Sequence, residues 1–279
     1  MILHSNHLYI VSTPIGNLED ITLRALEVLK NSDIILCEDT RRSIKLLSHY
    51  KIKKKLISYH KFNEKKKLVN IIEYFNEGKI LSLISDAGTP LLSDPGRLLV
   101  NHCVANKIKV IPIPGASSIT SALSVSGFND QFLFYGFLPK TENELEKVLT
   151  PLSKNEYTQI YFIPSKKINF YIKSFKKFFS GRKILIAREI TKIHEAFVRE
   201  EIDELKIFKH PVKGELTIVI SENNNKVKKF DEEKIVNKIK KYLKKYSLKD
   251  TVNLILETEK VNKKKVYNLC LKIKNEKNY

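Results

Sequence analysis

The stretch Ser85-Asp86-Ala87-Gly88-Thr89-Pro90-Leu91-Leu92-Ser93-Asp94-Pro95-Gly96 holds side chains and a backbone suited to gripping a ligand. It follows an apolar run, Ile80-Leu81-Ser82-Leu83-Ile84, that reads as a buried strand. Gly88 permits a positive φ and lets a ligand approach the backbone closely. Asp94 reads as a helix N-cap and Pro95 as the first helical residue. A strand, a glycine loop and a helix N-terminus in succession leave N–H groups free at a strand's carboxyl end, where α/β folds bind ligands. The Walker pattern and the GxGxxG fingerprint are both absent, so the familiar nucleotide sites are not indicated. One such loop alone is also what an ordinary tight βα connection looks like. Two further loops of small residues strengthen the case: Thr13-Pro14-Ile15-Gly16-Asn17 and Pro114-Gly115-Ala116-Ser117-Ser118. Each follows an apolar run, and parallel strands would place all three on one sheet edge, around one pocket.

The elements that must position these loops alternate. Strands are expected at 8–12, 33–37, 56–59, 80–84 and 108–111. Helices are expected between them, the first capped by Asp20 and the fourth spanning 95 to about 106. This pattern predicts a parallel sheet in an N-terminal α/β domain over 1–115. A second α/β domain, over 116–225, is expected to open with a helix at about 116–126. The stretch Phe132–Pro139 marks entry to the second domain, and strands follow at 158–163, 183–187, 194–199 and 215–220. Helices fall near 142–150 and 166–179, with a short one ending near 208. The mixture of hairpin-length and helical connections predicts a mixed sheet. The polar run Ser221–Lys226 reads as a linker. The segment 226–279 reads as helical, with a Ser247-Leu248-Lys249-Asp250 capping box and Asn262 as a cap for a last helix that begins with Lys263-Lys264-Lys265. Its two short helices have helix-turn-helix spacing; a dimerisation arm or a covering for the sheet would look the same.

With 279 residues and 42% hydrophobic content the chain can bury a sizeable core. A net charge of +19 points to a polyanionic partner, most simply nucleic acid. Only 7 of the 50 basic residues are Arg, so a general drift toward Lys is a competing source of that charge. Cys37, Cys103 and Cys270 are far apart and match no metal spacing, which fits thiols in a reducing cytoplasm. No apolar run reaches the length of a membrane span, and the first residues lack the pattern of a signal peptide.

The order TPIGN (13–17), EDTR (38–41), SDAGTPLLSDPG (85–96), PGASS (114–118), GFLP (136–139), ARE-TK (187–192) and KGE (213–215) resembles the tetrapyrrole methylase superfamily, over about residues 8–272. Within it the motifs are most similar to the branch that methylates the ribose 2′-hydroxyl of a cytidine in the decoding region of 16S rRNA. The resemblance implies two α/β domains, S-adenosyl-L-methionine (AdoMet) held in the cleft between them, a homodimer, and the small ribosomal subunit as partner. Carried over residue by residue, it implies cofactor contacts at Pro14, Ile15, Asp86, Ala87, Gly88, Thr89, Ala116, Ser117 and Ser118. There is one departure: Phe162-Ile163-Pro164-Ser165-Lys166-Lys167 has Pro164 where the family usually carries Glu.

Methyl transfer from a sulfonium is an in-line displacement with an activated donor, so alignment supplies much of the catalysis. A ribose hydroxyl is a weak acid and calls for a base. The candidates are Asp39, Glu38, Glu189, Lys192 and His194. Glu38 and Asp39 stand beside Arg41 and Arg42, which serves an oriented base and a helix-capping ion pair equally well. Lys192 would need a lowered pKa. Arg41, Arg42, Lys263, Lys264 and Lys265 are candidate phosphate contacts. Tyr59, Phe62 and Phe137 could stack on an unpaired base, though core packing explains each one singly. A related methylase acting on a tetrapyrrole or a protein side chain, or a non-catalytic ribosome-assembly protein that keeps the fold, would share much of this pattern.

Overall fold

The structure, a computed structural model, describes residues 3–223, 232–258 and 263–275. Residues 1–223 form one compact unit and 224–279 a second.

The first sheet is all parallel. Its strands are β1 (His7–Val11), β2 (Ile34–Cys37), β3 (Lys55–Ser58), β4 (Leu81–Ile84) and β5 (Lys109–Ile113), in the order β3-β2-β4-β1-β5. Every residue of β2 and β4 is buried, as expected of a sheet covered on both faces. On one face α1 (Leu23–Asn31) and α2 (Thr40–His49) bury Ala25, Val28, Leu29 and Leu47. On the other α3 (Glu64–Asn76) and α4 (Arg97–Ala105) bury Ile71, Phe75, Leu99 and Cys103.

After the short α5 (Ser118–Ser124) comes a mixed sheet of β6 (Phe132–Phe137), β7 (Thr158–Pro164), β8 (Lys183–Arg188), β9 (Ala196–Glu201) and β10 (Glu215–Ile220). Its order is β6-β7-β10-β8-β9; β6 and β7 run parallel, and the other neighbours are antiparallel. The helices α6 (Glu142–Ser153) and α7 (Ile168–Phe178) cover one face around Tyr161, Tyr171 and Phe175. The opposite face packs on α5 and on Ile15 of the first loop, through Ile119, Ala122, Ile160, Leu185 and Val219. An apolar seam therefore joins the two sheets beside the three loops.

The remaining unit has α8 (Glu232–Tyr242), α9 (Leu248–Thr258) and α10 (Lys263–Asn275) around a core of Ile235, Ile239, Val252, Ile255, Val266, Cys270 and Ile273. Three helices share this core, where the spacing alone suggested a two-helix motif. The Ser247 box forms as expected: its hydroxyl accepts the Asp250 N–H at 3.2 Å and donates to the Asp250 carboxylate at 2.6 Å. Asn262 lies outside the described residues.

Three local expectations are corrected. Asp20 ends a single 3₁₀ turn (Leu18–Asp20), and α1 is capped instead by Thr22, whose hydroxyl accepts the Ala25 N–H at 3.1 Å. The extended backbone of Ile21 and Thr22 separates the two. Asp94 and Pro95 do not open α4, because Gly96, at φ +128°, turns the chain first and is itself the cap residue. The short helix expected before 208 is only a turn. Ile202 and Leu205 plug the core, and Asn169 then clamps Phe208 by hydrogen bonds to its N–H and C=O.

Candidate active site

Backbone and hydroxyl groups strap the three loops together. Thr13 and Gly88 exchange N–H···O=C bonds of 2.9 and 3.0 Å. The Thr13 hydroxyl donates to the Ser85 carbonyl at 3.2 Å, Ser12 and Thr89 hydroxyls lie 3.0 Å apart, and Thr89 donates to the Ala116 carbonyl at 3.4 Å. The strap depends on small residues: a Cβ on Gly115 would meet that of Ser12 at 2.9 Å.

Above the strap lies a cavity of about 670 Å³. On the side of the first sheet it is lined by Ile15, by Asp86 to Thr89 and by Ser117 to Ile119, with Glu38, Arg42 and Leu92 to Asp94 at one end. The mixed sheet supplies Phe137, Phe162 to Lys166, Ile190 and Gly214 to Thr217. The sequence candidates Ile15, Glu38, Arg42, Asp86, Ala87, Gly88, Thr89, Ser117, Ser118 and Phe137 thus meet around one space. Pro14 is buried and Ala116 half-buried beside them, in the strap rather than in the lining. Pro164 ends β7 opposite Glu215 on β10. Phe137 is exposed at the cavity and stacks obliquely on Phe162, with centroids 5.2 Å apart. Tyr59 is buried in the core of the first sheet, and Phe62 is 94% exposed on the loop before α3.

The carboxylates differ sharply. Asp39 caps α2 and is clamped by Arg41 through contacts of 2.9, 3.1 and 2.7 Å. Those hydrogen bonds from the Arg41 side chain and backbone hold its carboxyl well below the usual range, which makes it a poor proton acceptor. Asp86 accepts the Asp39 N–H at 3.1 Å and pairs with Arg42 at 3.2 Å. Burial, with Asp86 adding to it, raises Glu38. Asp94, read from the sequence only as a cap, stands in the cavity wall, where burial and then Glu38 push it up to about 6, against the pull of its Ser85 hydrogen bond. Asp-Pro-Gly is a helix-start signal, and nothing local distinguishes that from a wall residue.

Glu189, Lys192 and His194 stand apart from the cavity lining. Glu189, at φ +50°, accepts the Lys192 ammonium at 3.0 Å and the Glu215 N–H at 2.8 Å. Burial opposes its ionisation, but these partners outweigh it and its carboxyl lies below its ordinary value. Lys192 also pairs with the Glu215 carboxylate at 3.0 Å, and against burial these two carboxylates raise its pKa. The lowered pKa that a lysine base needs is therefore not met, and Lys192 is held as an ammonium. His194 is exposed. The Arg41 side chain is 86% exposed, while Arg42 reaches the cavity. The side chains of Lys263, Lys264 and Lys265 lie outside those described. Among the described residues no group of His, Cys, Asp and Glu is placed to hold a metal ion.

Asp94 has a measurable consequence for stability. Its folded pKa is above the ordinary value near 4, so its contribution is fully present below about pH 4 and is lost as pH rises through about 6. Asp94→Asn is expected to raise the melting temperature at pH 7.5 by roughly 2–4 °C, the effect of about 1 kcal/mol after discounting for solvent screening. The gain should vanish near about pH 4. Scanning calorimetry of both proteins across this range checks it; a variant less stable than the parent at pH 7.5 contradicts it.

A parallel sheet and a mixed sheet joined along a seam, with strand-end loops walling a shared cavity, define a two-sheet α/β ligand-binding architecture. Residues 7–206 match the family model described as Tetrapyrrole (Corrin/Porphyrin) Methylases, and the chain belongs to that family. It is 43% identical over 218 residues to "Ribosomal RNA small subunit methyltransferase I" of Thermotoga maritima, covering 77% of this chain and 97% of that protein. It is 40% identical over 272 residues to the protein of the same name from Buchnera aphidicola, covering 95% and 96%. Among solved structures, uroporphyrin-III-C-methyltransferase from Thermus thermophilus aligns with TM-score 0.54 at 17% identity, over 77% of this chain and 94% of that one. Diphthine synthase aligns with TM-score 0.58 at 14% identity, over 77% and 89%. At these identities the structural likeness speaks for the fold.

Proposed function

We propose that this methyltransferase transfers a methyl group to the ribose 2′-hydroxyl of a cytidine in the decoding region of 16S rRNA. The observation that carries the reading is the relative 40% identical across 95% of this chain, whose name specifies small-subunit rRNA. The tetrapyrrole-acting neighbour shares only 17% of residues over 77% of it. AdoMet supplies a methyl group already activated on a sulfonium. The residues fit such a donor: the cavity is of small-ligand size, and its floor at Gly88 is a cradle that any Cβ would begin to fill. Pro14, Ile15, Asp86 to Thr89 and Ala116 to Ser118 are the proposed donor-holding residues. Glu38, Asp39, Glu189 and Lys192, the catalytic candidates from the sequence, divide in role. Glu38 faces the cavity, and the other three serve as structural ion pairs around it. Arg41, Arg42 and Lys263 to Lys265 are proposed to meet RNA phosphates, with 1–115 and 116–225 acting as the two domains of the cleft and 226–279 as the RNA-contacting segment. A homodimer working in the cytoplasm on the small ribosomal subunit completes the proposal; among the described residues no helix is long and apolar enough to cross a membrane.

The chemistry of the product provides the test. A 2′-O-methyl group blocks alkaline cleavage at the adjoining phosphodiester, and a base methyl does not. Alkali-resistant sites are mapped in 16S rRNA from cells with and without the gene. One cytidine in the decoding region is expected to lose its resistance when the gene is removed. An unchanged map, with label passing from AdoMet to a porphyrinoid or a protein instead, would overturn the assignment.

A further inference from the structure

The cavity wall on the side of the first sheet carries three carboxylates, Glu38, Asp86 and Asp94, and only Asp94 directly follows a non-glycine residue held at positive φ. Leu91 sits at φ +72° and Ser93 at φ +73°, both in the region that disfavours side chains. Such residues persist only where their surroundings over-determine them, and they cluster at functional sites. Here the surroundings do so three times over. The Glu64 carboxylate accepts the Gly96 N–H at 2.6 Å. Gly136 of β6 has no side chain where a Cβ would lie 2.8 Å from the Ser93 hydroxyl, so the loop fits close against the second sheet. Leu91 lies beneath Gly96, 3.3 Å from where a Cβ would stand. The loop is thus held by α3 and by β6, and Asp94, which follows Ser93, is the residue it presents to the cavity.

We propose that Asp94 is the catalytic base, its carboxylate taking the proton of the substrate hydroxyl. This rests on the reading of the chain as a hydroxyl methyltransferase. As the hydroxyl oxygen bonds to the methyl carbon, the carbon–sulfur bond breaks with its electron pair staying on sulfur. The hydroxyl proton passes to Asp94, which ends neutral, so charge balances. The other carboxylates are less suited. Asp86 is engaged by Arg42 and by the Asp39 N–H. Glu38, at the end of β2, acts through Asp94 as a positioning residue, because its negative charge keeps Asp94 basic. The groups acting on Asp94 are Glu38, just after β2, and Ser85 and Asp86 from the loop after β4; Arg42 on α2 lines the same cavity, and Lys166 and Glu215 lie on the wall formed by the mixed sheet.

Two measurements on the full-length chain test this. In single-turnover assays on 16S rRNA, Asp94→Asn is expected to lower the rate by ~10²–10⁴-fold, the range for loss of a general base. Its calorimetric affinity for AdoMet should remain. In the free protein, the Asp94 carboxyl carbon followed by ¹³C NMR should titrate at about 6. Glu38→Gln should move that midpoint to lower pH and carry the acid limb of the pH–rate profile with it. A merely structural Asp94 would leave the profile in place. If the wild type fails to methylate 16S rRNA, the proposed function falls. If it is active and Asp94→Asn keeps a near-wild-type rate, or Glu38→Gln leaves the acid limb unmoved, only the assignment to Asp94 falls.

Discussion

Replacing Gly88 by Val weakens AdoMet binding by ~100-fold or more, equivalent to about 2.7 kcal/mol. Gly88 has φ +79°, where a β-branched residue is strongly disfavoured. A Cβ there would lie 3.3 Å from Ile15 Cγ2 and 3.8 Å from the Ala116 carbonyl, so the two methyls of Val would crowd the loops that wall the proposed donor site. The backbone cannot step aside, because both polar groups of Gly88 are bonded to Thr13. Gly88→Ala, which adds the conformational penalty but little bulk, is expected to lose less. Calorimetric titration of folded variants provides the check. Undiminished affinity in Gly88→Val would remove the central loop from the donor site.

Binding of 16S rRNA falls by about three orders of magnitude when salt rises from about 50 to 200 mM, while AdoMet affinity stays nearly constant. The net charge of +19 and the exposed Arg41 and Arg42 make phosphate contacts the expected source of affinity. Each phosphate neutralised contributes roughly −0.9 to the slope of log K against log salt on a duplex and about −0.7 on a single strand. About six contacts therefore give the stated loss. The proposed donor site lies in a cavity and would release no comparable counterion atmosphere. Filter binding across a salt series yields the slope directly. A slope near zero would mean that the lysine excess is compositional and takes no part in binding.

The sequence discloses most clearly what is determined locally. The apolar runs of β2 and β4 announce a buried parallel sheet because every residue faces a helix layer, and the small residues after β1, β4 and β5 announce strand-end loops for the same reason. What stayed hidden depends on partners far along the chain. Whether Asp-Pro-Gly starts a helix or props a wall is decided by Glu64 on α3 and by the empty space at Gly136, neither adjacent to it. Asp39 looks like a base until its capping geometry and the Arg41 clamp are seen together. Lys192 looks available until Glu189 and Glu215 close on it. In the last unit, the capping box was readable, but that three helices share one core was not, because buried positions on short lysine-rich helices are spread thinly.

The ion-pair knot around Lys192 has a consequence for how this chain can vary. A Cβ on Gly16 would run into the Lys192 side chain and lie 2.7 Å from the Thr191 hydroxyl, which itself accepts the Asn17 N–H at 3.0 Å. A Cβ on Gly214 would run into Glu189. Positions 16, 189, 192 and 214 therefore limit one another's side chains, although almost two hundred residues of sequence separate the outermost two. A recombinant that takes its first sheet from one homologue and its second from another would join two halves of this lock cut for different keys. Its tolerance of the crossover would be set at that junction, far from the point where the two genes were spliced.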